Sequence, residues 1–359
     1  MRRRLLTLFA LTLALMTLAG PALACGGLLS PNGSVNLLRT TTLAAYHDGI
    51  EHYITSFRFV GGGGAKFGSI VPLPGVPTDV VKAGDWTLQR LIREVRPPAP
   101  EARVFAATAD SGAGAKELLN ISIDALDITV LEGGAAEVAK WATDKGFLLS
   151  PDAPEVLDFY ASRSPIFLAA RFDSKRAADQ GLAEGDGTPI HVIMPTPNPW
   201  VPLRILGLGK QATEPIQADV FLLTDRRPAM LPAAIGDTRV GELIPRTSGM
   251  RLSRSEWASE QLLADLRSDK GMEWLPAKNM WLTFLEIDTP AGVLGYDLAI
   301  DASGADQPSY VAAGLTDALA RVREIVSGEA VSWVAMMALG AVAGAIAGYV
   351  IRRRVATTG

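Results

Sequence analysis

Three histidines are the first candidates for chemistry, because imidazole nitrogens serve as general bases and as metal ligands. His47 and His52 flank a predicted turn that also holds Asp48 and Glu51. If the two flanking strands pair directly, both rings lie near the turn, and a site of nitrogen and oxygen ligands is conceivable. An exposed polar turn needs no metal, so we predict no metal site and keep His47 and His52 as its only candidates. His191 lies in an apolar strand and is predicted to be a hydrogen-bonded core residue.

Known cofactor and catalytic motifs are not found in the sequence. The glycines Gly61–Gly64 lack a following Lys-Ser/Thr pair and stand between predicted strands, which excludes a phosphate-binding loop. Residues 181–187 are rich in glycine but do not fit the spacing of an EF-hand calcium loop. Neither Gly-x-Ser-x-Gly nor His-Glu-x-x-His occurs. We therefore predict no cofactor, the catalytic residues of an enzyme would be unknown, and we favour a protein that is not an enzyme.

One tryptophan was considered for a binding surface. Trp200 stands between Pro199 and Pro202, and the neighbouring prolines favour an extended segment at the surface. The other tryptophans considered (Trp141, Trp257, Trp274 and Trp281) mostly occupy helix or strand positions that suit a core. A core position is the interpretation that we favour for Trp200 as well, and the binding surface is the alternative.

The N-terminal residues have the pattern of a secretory signal peptide. Three arginines at positions 2–4 precede the apolar run Leu5–Ala19, and Ala22-Leu23-Ala24 supplies an A-x-A cleavage site. Cleavage after Ala24 makes Cys25 the first mature residue, a lone thiol. Lipid attachment to Cys25 is the alternative, although Ala22 stands where a lipobox usually has leucine. We predict a signal peptide over residues 1–24 and leave lipidation of Cys25 open.

The C-terminal residues predict one transmembrane helix. Residues 330–351 are 22 positions without a charge, and about 20 helical residues cross the hydrocarbon core. Trp333 and Tyr349 fall near its two ends, where amphipathic rings favour the membrane interface. Three arginines follow the span at once: Arg352, Arg353 and Arg354. Positive residues mark the cytoplasmic side of a span, which places the tail 352–359 in the cytoplasm and residues 25–329 outside.

Glycines recur every fourth residue in this predicted span. Gly340, Gly344 and Gly348 lie on nearly one helix face, where a second helix can approach closely. We therefore consider self-association through this face. The alternative is that glycine is simply frequent in membrane helices.

Composition excludes several classes of protein. One cysteine and three histidines cannot build a disulfide framework or a Cys/His zinc cluster. Without the six arginines of the two ends, which contain no acids, 28 basic and 38 acidic residues remain, a net charge of −10. Such a surface argues against nucleic acid as a partner.

The remaining patterns predict an α+β fold with mixed, largely antiparallel sheets and flanking helices. We divide the ectodomain into residues 25–229 and 230–329. Among the predicted elements are the strand pair 37–46 and 51–60, one strand over 121–131, and a strand over 201–208. A capping box at 253–256 predicts a helix with Trp257 and Leu262, and 281–287 is predicted to form a hairpin with 293–300.

Several segments resemble the bacterial domain-of-unknown-function family 2330. The start Ala24–Leu29 is similar to its Cys-Gly-Gly-Phe-Phe-Cys hexapeptide, with Ser30 at the position of the second cysteine. Three further segments resemble the family and follow in its order: Ile70–Pro77, Val138–Phe147 and Pro199–Leu208. The resemblance spans roughly residues 24–230. The resemblance implies an exported, membrane-tethered bacterial protein and no established activity. The serine leaves no second thiol for a disulfide within this hexapeptide.

Together these features predict a single-pass, type I cell-membrane protein with an extracytoplasmic domain. We expect a non-catalytic module that binds or organises components of the bacterial envelope. Its expected partners are the lipid bilayer, a second copy of the chain and an unidentified envelope component. The alternative is an envelope hydrolase with a carboxylate-based site that motifs do not reveal.

Overall fold

The computed structural model describes residues 28–29, 35–61, 67–84, 86–96, 116–179, 188–237 and 248–316. These ranges contain three β-sheets and a few helices. Strands in the described part pair antiparallel, apart from the parallel pair Val35–His47 and Pro215–Thr224 and one isolated bridge. The predicted α+β class with largely antiparallel sheets is therefore confirmed for this part of the chain.

A seven-stranded sheet positions most of the residues considered below. Its order is β13-β14-β11-β2-β3-β9-β5. The bounds in that order are Met250–Trp257, Trp281–Pro290, Pro215–Thr224, Val35–His47, Ile50–Gly61, Ile190–Pro195 and Asp79–Lys82. The β2–β3 hairpin turns at Asp48 and Gly49, whose φ angles of 50° and 80° are typical of Asp-Gly hairpin turns.

Two smaller sheets complete the described strands. The five-stranded sheet has the order β1-β4-β8-β7-β6, with bounds Leu28–Leu29, Phe67–Pro72, Ile166–Phe172, Leu126–Glu132 and Lys116–Ile123. The three-stranded sheet has the order β10-β15-β12, with bounds Trp200–Val201, Leu298–Asp301 and Ala229–Leu231.

Five α-helices and two 3-10 helices lie in the described ranges. The α-helices α1 to α5 are Thr87–Val95, Ala135–Asp144, Ala153–Ala161, Ser174–Asp179 and Glu260–Arg267. The 3-10 helices are Arg204–Gly207 and Ala291–Val293. Helices α1 and α5 cover one face of the seven-stranded sheet, where Leu91 and Leu263 join the buried side chains of Leu43 and Phe221. Burial of this apolar face stabilises the arrangement.

Four sequence predictions about local structure are wrong. Residues 121–131 contain a hairpin, because the chain turns at Asp124 with a φ of 53°. Residues 201–208 form the end of β10 and a 3-10 helix. The segment 253–256 belongs to β13, and the following helix α5 is capped by Ser259, whose Oγ accepts from Leu262 N. β15 pairs with β10 and β12 instead of β14.

The described fold joins both predicted parts of the ectodomain in one sheet. Strands β13 and β14 come from the later part, and β14 pairs with β11 of the earlier part. Residues 1–313 form one compact unit and residues 314–359 another. Within the described ranges, none of the helices has the length and apolar character needed to cross a bilayer. The predicted span 330–351 lies outside these ranges.

Candidate functional site

A buried carboxylate organises the charged end of the seven-stranded sheet. Asp219 lies in the middle of β11, and its side chain is 1% exposed. Arg39 of β2 donates to it twice, from Nε to Oδ2 at 2.6 Å and from Nη2 to Oδ1 at 2.7 Å. This bidentate geometry is the strongest form of carboxylate–guanidinium pairing and fixes the plane of the Arg39 fork.

A second arginine reaches the same carboxylate from the end of α1. Arg96 donates from Nη1 to Asp219 Oδ2 at 3.0 Å, and its Nη2 also bonds Glu286 of β14. Its guanidinium lies 5.3 Å from the ring centroid of Phe284. Burial acts to lower the pKa of Arg96, but the Asp219 and Glu286 carboxylates outweigh it and the pKa is raised. Arg96 therefore stays charged throughout the physiological pH range.

Glu286 is held ionised at the same place. Ser253 Oγ donates to its Oε2 at 2.5 Å. The hydrogen bond from Ser253 and then the one from Arg96 lower the pKa of Glu286. Arg251 lies opposite Glu286 in the β13–β14 register, is exposed, and forms no ion pair among the described residues.

These side chains line an open cleft of about 510 Å³, here called the arginine cleft. Its described lining consists of Arg39, Arg96, Ile235, Gly249, Met250, Arg251, Glu286, Ile287, Asp288 and Thr289. The volume lies in the range of small-ligand sites. Asp219 and Glu286 match the charges of Arg39 and Arg96, and the exposed side chains of Arg251 and Asp288 form no ion pair among the described residues. The guanidinium of Arg251 is therefore the group that we consider for a ligand anion.

Sequence reasoning missed this site. The signal was a single acid, Asp219, directly before the apolar run Val220-Phe221-Leu222-Leu223 of β11. A charge in a buried strand requires a partner. Its partners Arg39 and Arg96 are 180 and 123 residues away, so no local pattern identifies them.

The structure separates the two histidines considered for a metal. Their side chains lie on one face of the sheet, because His52 is opposite Ala45 and Ala45 lies two residues before His47 in β2. His47 Nδ1 lies 2.6 Å from Asp225 Oδ1, and its Nε2 lies 3.4 Å from Asp48 Oδ2. One ligand atom from each of these three residues lies within 4.8 Å of the others. His52 instead belongs to a buried cluster.

His52 and His191 form that buried cluster with Trp274. The imidazole of His52 stacks on Trp274, with 3.5 Å between ring centroids. Burial lowers the pKa of His52 to about 3, and the neighbouring His191 and His47 add to the effect. Burial lowers the pKa of His191 to about 4, against the opposite effect of nearby carboxylates. Both imidazoles are therefore neutral near pH 7, and His191 is a core residue with a hydrogen bond, as expected.

Trp200 occupies a core position, the interpretation favoured over a binding surface. Its side chain is buried, and its ring lies 5.8 Å from that of Tyr160 and 5.1 Å from the guanidinium of Arg163. The other sequence-predicted site residues lie outside the described ranges. They are Cys25, Trp333, Gly340, Gly344, Gly348, Tyr349, Arg352, Arg353 and Arg354.

Comparisons with known proteins give one family match. The family model described as uncharacterized protein conserved in bacteria (DUF2330) matches residues 19–291. No curated protein matches. A crystal structure of baculovirus P35 covers 75% of this chain and 97% of its own at 9% identity, with a TM-score of 0.36. A mutated baculovirus P35 after caspase cleavage covers 74% and 99% at 8% identity, with a TM-score of 0.37. Likeness at this level supports no conclusion about this chain.

Proposed function

This chain belongs to the DUF2330 family of bacterial proteins, and on that premise we propose that it is a membrane-anchored, extracytoplasmic, non-catalytic binding protein. Its proposed ligand is an anionic group, a carboxylate or phosphate, of a bacterial envelope component. The proposed binding site is the arginine cleft. The predicted signal peptide and the predicted span 330–351 motivate the location, and the cleft motivates the activity.

The observation that carries this proposal is the fixed arginine pair above Asp219. The Asp219 side chain is 1% exposed, and its carboxylate holds the guanidinium groups of Arg39 and Arg96 in place before a ligand binds. Preorganised donors lose little conformational entropy on binding, which favours recognition of a planar or tetrahedral oxyanion. Arg251 adds an exposed guanidinium without an ion pair in the described part of the chain. The cleft thus combines rigid donors with the exposed guanidinium of Arg251, next to the carboxylate of Asp288.

The carboxyl groups of the cleft argue against the hydrolase alternative. Acid–base catalysis by paired carboxyl groups needs one whose pKa is raised, so that it carries a proton at neutral pH. The pKa of Glu286 is lowered. Glu51 and Asp297 have raised pKa values, but both are fully buried and neither lines the cleft. Binding is therefore the function that this geometry supports best.

Titration of the detergent-solubilised full chain with inorganic phosphate and with acetate tests the cleft. We expect one saturable site, and we expect Arg251→Gln to weaken it roughly tenfold or more, because a charged hydrogen bond contributes about 1.5–3 kcal/mol. Arg267→Gln, which changes an exposed arginine of α5, is the matched control and leaves the affinity unchanged. Equal affinities for all three chains, at constant ionic strength, would refute the cleft as the site. A preference for either anion identifies the ligand group.

The anchoring is tested separately by topology. A reporter that is active only in the cytoplasm, fused after Gly359, is expected to be active. A second fusion, within the ectodomain after Ser303, is expected to be inactive. The opposite pattern would contradict the proposed orientation.

Self-association through the predicted span is the second part of the anchoring proposal. Gly344→Ile places a bulky side chain in the middle of the glycine stripe, and we expect it to reduce crosslinked dimers in membranes. Val342→Ile, on the opposite helix face, is the matched control. Unchanged crosslinking in Gly344→Ile excludes this helix face as the contact.

A further inference from the structure

The geometry points to a divalent transition-metal site at the tip of the β2–β3 hairpin, with His47 and Asp48 as ligands and Asp225 as a positioning residue. This site is independent of the arginine cleft. His47 ends β2, Asp48 is the first turn residue, and Asp225 directly follows β11. The parallel pairing of Tyr46 with Thr224 brings the next residues of the two strands, His47 and Asp225, side by side. Two segments of the chain, the hairpin turn and the residue after β11, thus bring one imidazole and two carboxylates together.

Asp225 selects the tautomer of His47. A carboxylate accepts hydrogen bonds, so the 2.6 Å contact places a proton on Nδ1 of His47. In the neutral ring the lone pair is then on Nε2. Carboxylate–histidine pairs of this kind orient imidazole ligands in many metal sites.

The lone pair on Nε2 faces a second carboxylate. Asp48 Oδ2 lies 3.4 Å from Nε2, and two electron-rich atoms at this distance repel each other unless a cation joins them. A second proton on the imidazole satisfies this requirement, and so does a metal ion bound by both atoms. The two cations give different spectroscopic signatures, which makes the site testable.

The site is accessible and suits a particular group of metals. The side chains of His47, Asp48 and Asp225 are 31%, 85% and 40% exposed, so an ion and its water ligands reach them from solvent. One imidazole and carboxylate oxygens suit Zn²⁺, Ni²⁺, Co²⁺ or Cu²⁺. The protein supplies two ligand atoms here, His47 Nε2 and an oxygen of Asp48, so water completes the coordination.

Nitrogen NMR of the imidazoles provides a direct test, because the chain has only three histidines. The detergent-solubilised full chain is first treated with a chelator, exchanged into metal-free buffer and then titrated with Zn²⁺. We expect the Nε2 resonance of His47 to shift with one Zn²⁺ per chain, while Nδ1 keeps its proton. The resonances of His52 and His191 are expected to stay in place, since both rings are buried.

Variants separate ligation from positioning. His47→Gln is expected to abolish the site, and Asp225→Ala to weaken Zn²⁺ binding about 10–100-fold, the usual effect of losing an orienting partner. Asp225→Asn retains an oxygen that accepts from Nδ1 and is expected to restore most of the affinity. Asp301→Asn, a change to another acid of this region, is the control. Binding that survives His47→Gln, Zn²⁺-dependent shifts at His52 or His191, or a protonated Nε2 at saturating Zn²⁺ would each overturn the proposal.

Discussion

His52 Nδ1 and His191 Nε2 lie 3.0 Å apart, so the two buried imidazoles share one hydrogen bond. Only one proton lies between them, because each bond needs one donor and one acceptor. His191 Nδ1 is buried and has no hydrogen-bond partner among the described residues. Protonating either ring places a charge beside Trp274 and the second ring, in an environment that cannot solvate it. This pair therefore makes the stability of the fold depend on pH.

We expect the folded state to lose stability as pH falls below about 6.5. In the unfolded chain both imidazoles gain protons near the ordinary histidine value of 6.5, whereas in the folded chain their pKa values are about 3 and about 4. Their contribution is thus fully present above pH 6.5 and is lost toward pH 4. Each ring lowers the unfolding free energy by at most about 1.4 kcal/mol per pH unit in this window.

Thermal unfolding of the full chain in chelator-containing buffer, between pH 8 and pH 4.5, measures this slope. The double variant His52→Gln/His191→Gln is expected to flatten the slope, although it lowers stability at pH 8. His47→Gln is the control and is expected to retain most of the slope, because burial is the largest cause of the lowered pKa of His52. An unchanged slope in the double variant would show that other groups cause the acid sensitivity.

A second prediction concerns Glu51, which is fully buried in β3. Its carboxyl oxygens have no hydrogen bond of good geometry among the described residues, and burial raises its pKa well above 4.5 against the opposing effect of the Trp200 backbone N–H. The folded chain keeps this proton while the unfolded chain loses it, so stability falls as pH rises above about 4.5. Glu51→Gln has a similar shape without the proton, and we expect a higher melting temperature at pH 8 than for the original chain. Equal or lower values at pH 8 would contradict a raised pKa.

A third prediction concerns the ion pair between Arg163 and Asp297. Asp297 Oδ2 accepts from Arg163 Nη2 at 2.5 Å, and its Oδ1 accepts from Tyr160 Oη at 2.8 Å and Leu203 N at 2.7 Å. Burial raises the pKa of Asp297, and Arg163 opposes this. Asp297→Ala leaves a buried guanidinium without its carboxylate and is expected to cost about 3–5 kcal/mol of unfolding free energy.

The melting temperature of Asp297→Ala checks this cost. Asp297→Asn retains hydrogen-bond acceptors and is expected to lose less. Asp158→Ala, at an exposed position of α3, is expected to change stability by under about 0.5 kcal/mol. If Asp297→Ala melts like the Asp158 variant, the ion pair does not stabilise the described fold.

A fourth prediction concerns the start of α1, which a distant residue caps. Asp269 Oδ2 accepts from the backbone N–H groups of Trp86 at 3.0 Å and Thr87 at 2.6 Å. It also accepts from Thr87 Oγ1 at 2.8 Å. Asp269→Ala is expected to cost about 0.5–2 kcal/mol, the usual effect of losing a cap.

Hydrogen exchange in the first turn of α1 is expected to accelerate in Asp269→Ala, because the capped end then opens more easily. Lys270→Ala alters the adjacent exposed side chain and is expected to leave exchange unchanged. Equal protection of α1 in both variants would contradict the cap.

Local patterns predicted those elements whose signals lie within a few residues. The Asp48-Gly49 turn and its two strands were predicted because turn chemistry and alternation agree there. The pattern Ser253–Glu256 failed because a capping box is also compatible with an exposed edge strand. Pairing with β14 decided the outcome, and the helix begins instead after Ser259.

The sequence by itself determined the chain's family resemblance, its α+β class and the residue types available for chemistry. Only the tertiary structure decided which of these residues meet. It placed His52 against His191, His47 against Asp225, and Arg39 and Arg96 against Asp219. The physical reason is that periodicity and turn chemistry act over a few neighbouring residues, whereas strand order and register depend on burial of the whole apolar surface. Partners more than a hundred residues apart are therefore set by the sheet that brings them together.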